Sequence, residues 1–275
     1  MTSIASWFHN EGHDSIWVVG DSKITNTSSM LIDIGAKIFS IPLICKGVGK
    51  SGFLDSTFLE TKIGLAYAGS SLVGLNVQAA LTTVFANLGG TGIAPSMDSI
   101  VEFSKNIIKS YISTLAVSAD RGALCEFSMF GYCHVDNELK MYHLKPDLSS
   151  GMFDIEIITY LESEVDNDFV LLLGDKKHEI NEEINNKRTS YSSDHILWQR
   201  APQTVLKEIV QTDKYETVGG HIQMGICDSS GFHPYSTLNY VKGEEPKAYL
   251  SYLGFHTSGD SGQIGNCFVN INGMA

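Results

Sequence analysis

The chain has 275 residues, with 19 Lys and Arg against 31 Asp and Glu, for a formal net charge of −12. A hydrophobic fraction of 43% excludes disorder as the main state, and the length allows a sizeable core without disulfides or metal. The acidic balance excludes nucleic acid as a partner bound through its phosphates, which needs a basic face. Charged residues make up 18%, against about 25% in an average soluble domain, which leaves surface for packing against sister subunits.

The five cysteines, Cys45, Cys125, Cys133, Cys227 and Cys267, are scattered and form no C-x-x-C pair. They fit a reduced, cytoplasmic protein without a disulfide framework or a zinc knuckle. The first basic residue is Lys23, so no secretory leader is expected. The least polar long stretch, 63–88, carries Ser70, Ser71, Asn76, Gln78, Thr82 and Thr83 and is too polar to span a membrane.

Residues 4–9 and 16–19 flank a polar turn at 10–14 and read as a hairpin. The run Ile16-Trp17-Val18-Val19 is apolar without alternation, so both its faces are expected to be covered. Residues 37–41 and 63–68 read as two further strands, with a Gly-rich loop at 46–52 between them. Val73, Val77, Ala80, Leu81, Val84 and Leu88 mark a helix ended by Gly89-Gly90. Ile100, Phe103, Ile107, Ile108, Tyr111 and Leu115 mark the next, with Asp98 or Ser99 as its N-cap and Pro95 outside it.

Strands are predicted again at 125–134, 139–144, 153–161 and 169–173. A polar stretch, 175–188, leads into a helix over about 194–212, in which Pro202 marks a kink or a break. Strand-like segments at 221–227, 248–255 and 267–271 complete the chain, without repeats, low-complexity segments or a linker. Segregated helices and strands predict an α+β layered domain. Two sheets face to face with helices outside is one such arrangement, which the pattern alone leaves open.

The N-terminus carries the chemistry. Met1-Thr2-Ser3 puts a hydroxyl residue directly behind the initiator methionine. With Met1 removed, Thr2 has both an Oγ nucleophile and an α-amine whose pKa, near 8, suits it to take the Oγ proton. Met-Thr is also a common way for a chain to begin, so Thr2 needs company. Gly20-Asp21-Ser22-Lys23 follows the second strand, Gly35-Ala36-Lys37-Ile38 begins the third, and Ala68-Gly69 ends the fourth. Taken singly, Asp21 and Lys37 could be a surface ion pair and Gly69 a turn glycine.

In this order the four features resemble proteasome β-type subunits and their bacterial heat-shock peptidase relatives, the Thr-type N-terminal-nucleophile hydrolases. The resemblance runs from Thr2 to about Leu115. It implies a four-layer αββα sandwich, in which 1–275 is a single domain with a family-unlike extension from about 235. It implies a threonine-type peptidase or amidohydrolase. Thr2 is the nucleophile, Lys37 tunes it, Asp21 fixes Lys37, and the Gly69 N–H stabilises the oxyanion. Further implications are a peptide or protein substrate and a homo-oligomer, in the form of a ring; no cofactor is implied, and an unfoldase partner is not legible. An inserted loop around 45–60 precedes the Ala68-Gly69 strand. Gly174-Asp175 stands where many members have Gly-Ser, and Tyr215 and Val218 stand where many have Asp and Ser before a Gly-Gly pair.

Other patterns give rival readings. One is a non-catalytic ring or scaffold subunit that keeps the motif as structure. Another starts from Val18-Val19-Gly20-Asp21-Ser22, which resembles the first block of SGNH/GDSL esterases with Ser22 as nucleophile. The Asp228-to-His233 spacing does not match the Asp-x-x-His those enzymes need. Gly47-Val48-Gly49-Lys50-Ser51-Gly52 lacks the leading glycine of a phosphate loop, Ile44 standing in its place. Gly259-Asp260-Ser261-Gly262 echoes a serine-protease loop but reads as a turn. The nine histidines show no metal-ligand spacing.

Overall fold

The computed structural model describes residues 2–26, 29–149, 151–241, 247–256, 263–269 and 271–274. In chain order the main elements begin with β1 (Ser3–His9), β2 (Ser15–Asp21), β3 (Ile38–Val48) and β4 (Leu54–Gly69). Helices α1 (Ser71–Phe85) and α2 (Met97–Ala119) follow, then β5 (Cys125–Cys133), β6 (Glu138–Asp147), β7 (Asp154–Leu161) and β8 (Leu171–Gly174). The last part holds α3 (Lys177–Arg188), α4 (Ala201–Gln211), β9 (Ile222–Asp228), β10 (Gly231–Val241) and β11 (Lys247–Tyr252). The chain is α+β, as predicted.

The first hairpin forms as read, with Trp7 opposite Trp17, and every residue of β2 is buried. One sheet runs β8-β1-β2-β9-β10-β11 and the other β7-β6-β5-β4-β3, all neighbours antiparallel. Residues from both sheets, among them Ile4, Val18, Ala66, Phe130 and Phe232, share one apolar cluster. On its other face the β4–β5 sheet packs Leu65 and Phe127 against Val77 of α1 and Ile108 of α2. The β1–β2 sheet packs Trp7 and Val19 against Ile184 of α3 and Leu206 of α4. Among the described residues no helix is long and apolar enough to cross a membrane.

Several expectations are corrected. The segment around 45–60 is not a loop: β3 and β4 stay paired out to Val48 opposite Leu54, and the turn is closed by Gly49 N–H donating to the Phe53 carbonyl. The Gly-Lys-Ser run is therefore a hairpin tip and cradles no phosphate. The N-cap of α2 is Ser96, whose Oγ accepts the Ser99 N–H at 3.2 Å. Helix α1 stops at Phe85, and Leu88–Gly89 pair with β3 in parallel.

Residues 177–188 form a helix, not merely a polar stretch. Its buried face is only Ile180, Ile184 and Arg188, one residue per turn, too narrow for hydrophobic periodicity to register. Pro202 lies at the start of α4, where its missing N–H costs nothing. Strand β10 contains Pro234, which demotes a strand pattern on sequence grounds; here it pairs opposite Gly225 within the sheet. Beyond 235, the described parts of β10 and β11 thus extend the first sheet, whereas Gln263–Ile264 and Cys267–Phe268 pair with each other. Gly259 to Gly262 lie outside the described residues.

Candidate active site

The backbone of Thr2 is clamped from two sides. Its carbonyl accepts the Asp175 N–H at 2.7 Å. The next residue, Ser3, donates its N–H to Asp21 Oδ1 at 2.9 Å and its hydroxyl to the Asp175 carbonyl at 2.8 Å. Gly174 makes the clamp possible: its φ is +90°, and a Cβ there would stand 1.8 Å from the Thr2 carbonyl oxygen.

Behind Thr2 lies a charge pair. Asp21 and Lys37 are both 0% exposed, and Lys37 Nζ donates to Asp21 Oδ1 at 2.9 Å and to the Lys23 carbonyl at 2.6 Å. Burial pulls the Lys37 ammonium below its ordinary pKa, and Asp21 opposes that pull. Asp21 Oδ2 accepts the N–H groups of Lys23 and Gly219, each at 3.1 Å. The carboxylate therefore receives four donors, which offset its desolvation. Gln223 steadies the far end of the pair, accepting the Lys37 N–H at 3.0 Å and donating to the Gly35 carbonyl at 2.6 Å.

In front of Thr2 opens a cleft of about 460 Å³, with Gly69, Leu124, Cys125, Glu126 and Asp175 on its walls. Gly69 has φ +121°, and a Cβ would meet the Leu124 carbonyl at 2.4 Å, so only glycine fits. Thr2 and Gly69 thus share one cleft, while Asp21 and Lys37 sit behind it, joined to Thr2 through the Ser3 amide. Tyr215 and Val218 are not on its walls. Val218 is core, and the Tyr215 hydroxyl donates to Glu183 Oε1 at 2.6 Å. Thr217 stands nearer: its hydroxyl donates to Asp175 Oδ2 at 2.6 Å. No local sequence signal marks Thr217.

Glu126 was also not legible. Its carboxylate accepts the Gly174 N–H at 2.7 Å and Lys177 Nζ at 2.9 Å and is paired with His143 Nε2 at 2.8 Å. Burial raises its pKa, but the bonds from His143, Lys177 and Gly174 outweigh burial and hold it below the ordinary Glu value. A lowered folded pKa means that the ionised form stabilises the fold above the unfolded value, near 4.3, and that this contribution is lost as pH falls through the folded one. Glu126→Gln is expected to flatten the acid limb of a stability-against-pH curve; superimposable acid limbs would show that the network carries no such linkage.

Ser22 does not have the setting of a nucleophile. It is buried, its hydroxyl donates to the Asp33 carbonyl, and it accepts the His221 N–H at 2.6 Å. Ser22→Ala is expected to cost about 1 kcal/mol of stability and to leave any hydrolytic activity unchanged; loss of a measured hydrolysis in a folded Ser22→Ala protein would restore the esterase reading.

No protein-family model matches the sequence, and no curated protein matches it. Solved structures do. Anbu (ancestral beta-subunit) from Yersinia bercovieri is 12% identical with a TM-score of 0.56, over 85% of this chain and 87% of that one. The Gly-1 mutant of Anbu from Hyphomicrobium sp. strain MC1 is 13% identical with a TM-score of 0.53, over 90% and 87%. These findings correct the resemblance read from the N-terminal motifs. They do not place the chain among proteasome β-type subunits or heat-shock peptidases, and at such identity the likeness to Anbu shows the fold alone. The physical reason is that each motif is a few residues long and has a local structural cause, such as the backbone amides that Asp21 collects.

Proposed function

We propose that the chain is an N-terminal-nucleophile hydrolase that cleaves amide bonds in a peptide or protein once Met1 is removed. The observation that carries this reading is the position of Thr2 on the wall of an open cleft, with the fully buried Asp21–Lys37 pair bonded to the amide that follows it. Thr2 Oγ attacks the substrate carbonyl, and the Thr2 α-amine takes its proton through water and returns it to the leaving amine. Lys37 supplies positive charge behind the nucleophile, and Asp21 fixes its place. The Gly69 N–H is the oxyanion donor. Water then hydrolyses the ester at Thr2. The three shared apolar clusters support a four-layer αββα arrangement spanning 1–275 as one domain, extended from about 235. The low charged fraction supports packing into a homo-oligomer, and cysteines that are all free among the described residues support a reduced, cytoplasmic setting.

A second reading has its own support. The four donors around Asp21 explain the pair as structure, which suits a scaffold subunit without catalysis. Met1 lies outside the described residues. Intact mass spectrometry before and after a peptide epoxyketone separates the two, because that reagent needs a free α-amine and its own hydroxyl. Hydrolysis predicts a chain without Met1 that gains one adduct at Thr2. A chain that keeps Met1 and takes no adduct sinks the catalytic reading.

A further inference from the structure

A second cavity lies at the other end of β1. Trp7 is five residues along that strand from Thr2, about 17 Å at strand spacing. The cavity, about 90 Å³, is enclosed by Trp7, the 162–169 segment, Arg188 at the end of α3, and Trp198 and Gln199. Arg188 is 5% exposed. Its guanidinium lies 4.2 Å from the centre of the Trp198 ring, and among the described residues its only hydrogen bonds go to backbone carbonyls, Asp168 at 2.6 Å and Trp198 at 3.4 Å. Among the described residues no carboxylate pairs with it, and Asp168 attracts it only through space. A buried cation that touches no carboxylate is costly. Two further residues of the wall, Trp7 and Gln199, carry buried polar atoms without a partner among the described residues, the indole N–H and Oε1.

We propose that this cavity is a binding site for a small monocarboxylate bearing a donor group, of which a free small amino acid is the type. The carboxylate pairs with Arg188 and accepts the Trp7 N–H; the ammonium faces Gln199 Oε1 and the acidic lip. The lip sets the class. Glu162 and Asp166 also line the cavity and repel a dianion, whereas they attract an ammonium group. Size sets the limit: a cavity of about 90 Å³ takes a molecule of a few non-hydrogen atoms, such as glycine, and excludes a large side chain. The site needs nothing from Thr2 and stands whether or not the chain is a hydrolase.

The test is calorimetric titration of the full chain at fixed pH and ionic strength, with glycine, sodium acetate and sodium sulfate as probes. One saturable site for glycine is expected, with acetate weaker and sulfate silent. Arg188→Gln should weaken glycine by at least tenfold. Arg188 also ties down two carbonyls, so that variant can lose its fold; Trp7→Phe keeps the ring, removes the N–H, and is expected to weaken glycine by about tenfold. No saturable heat for glycine up to about 100 mM overturns the proposal and leaves a water-filled cavity. Sulfate binding tighter than glycine overturns the ligand class. Unchanged glycine affinity in both folded variants overturns the location.

Discussion

Lys37→Ala is expected to remove all Thr2 labelling and to lower the free energy of unfolding by about 3–5 kcal/mol, the usual cost of leaving one member of a buried charge pair alone. Lys37 and Asp21 are both 0% exposed and meet at 2.9 Å, so the substitution strands a carboxylate away from water. Three backbone N–H groups still reach Asp21, which places the loss toward the lower end of that range. The double variant Asp21→Asn with Lys37→Met removes both charges and is expected to lose less stability than Lys37→Ala while remaining unreactive. Urea unfolding of the two variants, with the epoxyketone adduct as the activity readout, checks this. A loss below about 1 kcal/mol for Lys37→Ala would mean that the pair behaves as an exposed one.

Gly174→Ala is the second large effect. Its φ of +90° disfavours any side chain, and the added methyl would stand 1.8 Å from the Thr2 carbonyl oxygen. Backbone atoms cannot rotate away, so either Thr2 or the β8–α3 corner must move. The bond from the Asp175 N–H to Thr2 then lengthens or breaks. Backbone strain of this kind costs about 1–3 kcal/mol. A nucleophile displaced by about 1 Å loses roughly a hundredfold in rate, so adduct formation at Thr2 should fall by at least that much even in the folded fraction. Wild-type labelling rates in folded Gly174→Ala would show that the clamp does not position Thr2. Gly69→Ala is a weaker test of the clamp, because its clash at 2.4 Å is with the Leu124 carbonyl and not with Thr2.

The two glycines show where sequence reading stops. The pair Ala68-Gly69 was legible as a strand end, and the structure puts it on the same cleft as Thr2. Gly174-Asp175 was legible only as a departure from a pattern. Its close approach to Thr2 comes from the pairing of β8 with β1, Gly174 opposite Ser3, a contact between residues more than 170 positions apart. Thr217 and Glu126 were invisible for the same reason. Thr217 acts on the β8–α3 corner through one long-range hydrogen bond and Glu126 through two, and nothing in their own neighbourhoods marks them.

The family resemblance failed for a related reason. Short motifs such as Gly-Asp-Ser-Lys report local needs, here a carboxylate that collects backbone amides at a strand end. They say little about ancestry once the rest of the chain has diverged.

By itself the sequence determined whatever depends on neighbours along the chain. The unalternating apolar run of β2 required cover on both faces, the 10–14 turn required a hairpin, and the stripes of α1 and α2 required an apolar surface to lie on. It also brought Asp21 and Lys37 into view as a charged pair at the ends of adjacent segments. Only the tertiary structure decided the rest. It turned a Gly-rich segment into the tip of a long hairpin, because β3 and β4 keep pairing past the residues that looked like a loop. It made Pro234 part of a strand, and it made a helix of 177–188 from one apolar residue per turn. It also separated Thr2 and Gly69, on the cleft, from Asp21 and Lys37, behind it. Side-chain burial and cross-strand register are set by the whole packed molecule, and no window of the sequence contains them.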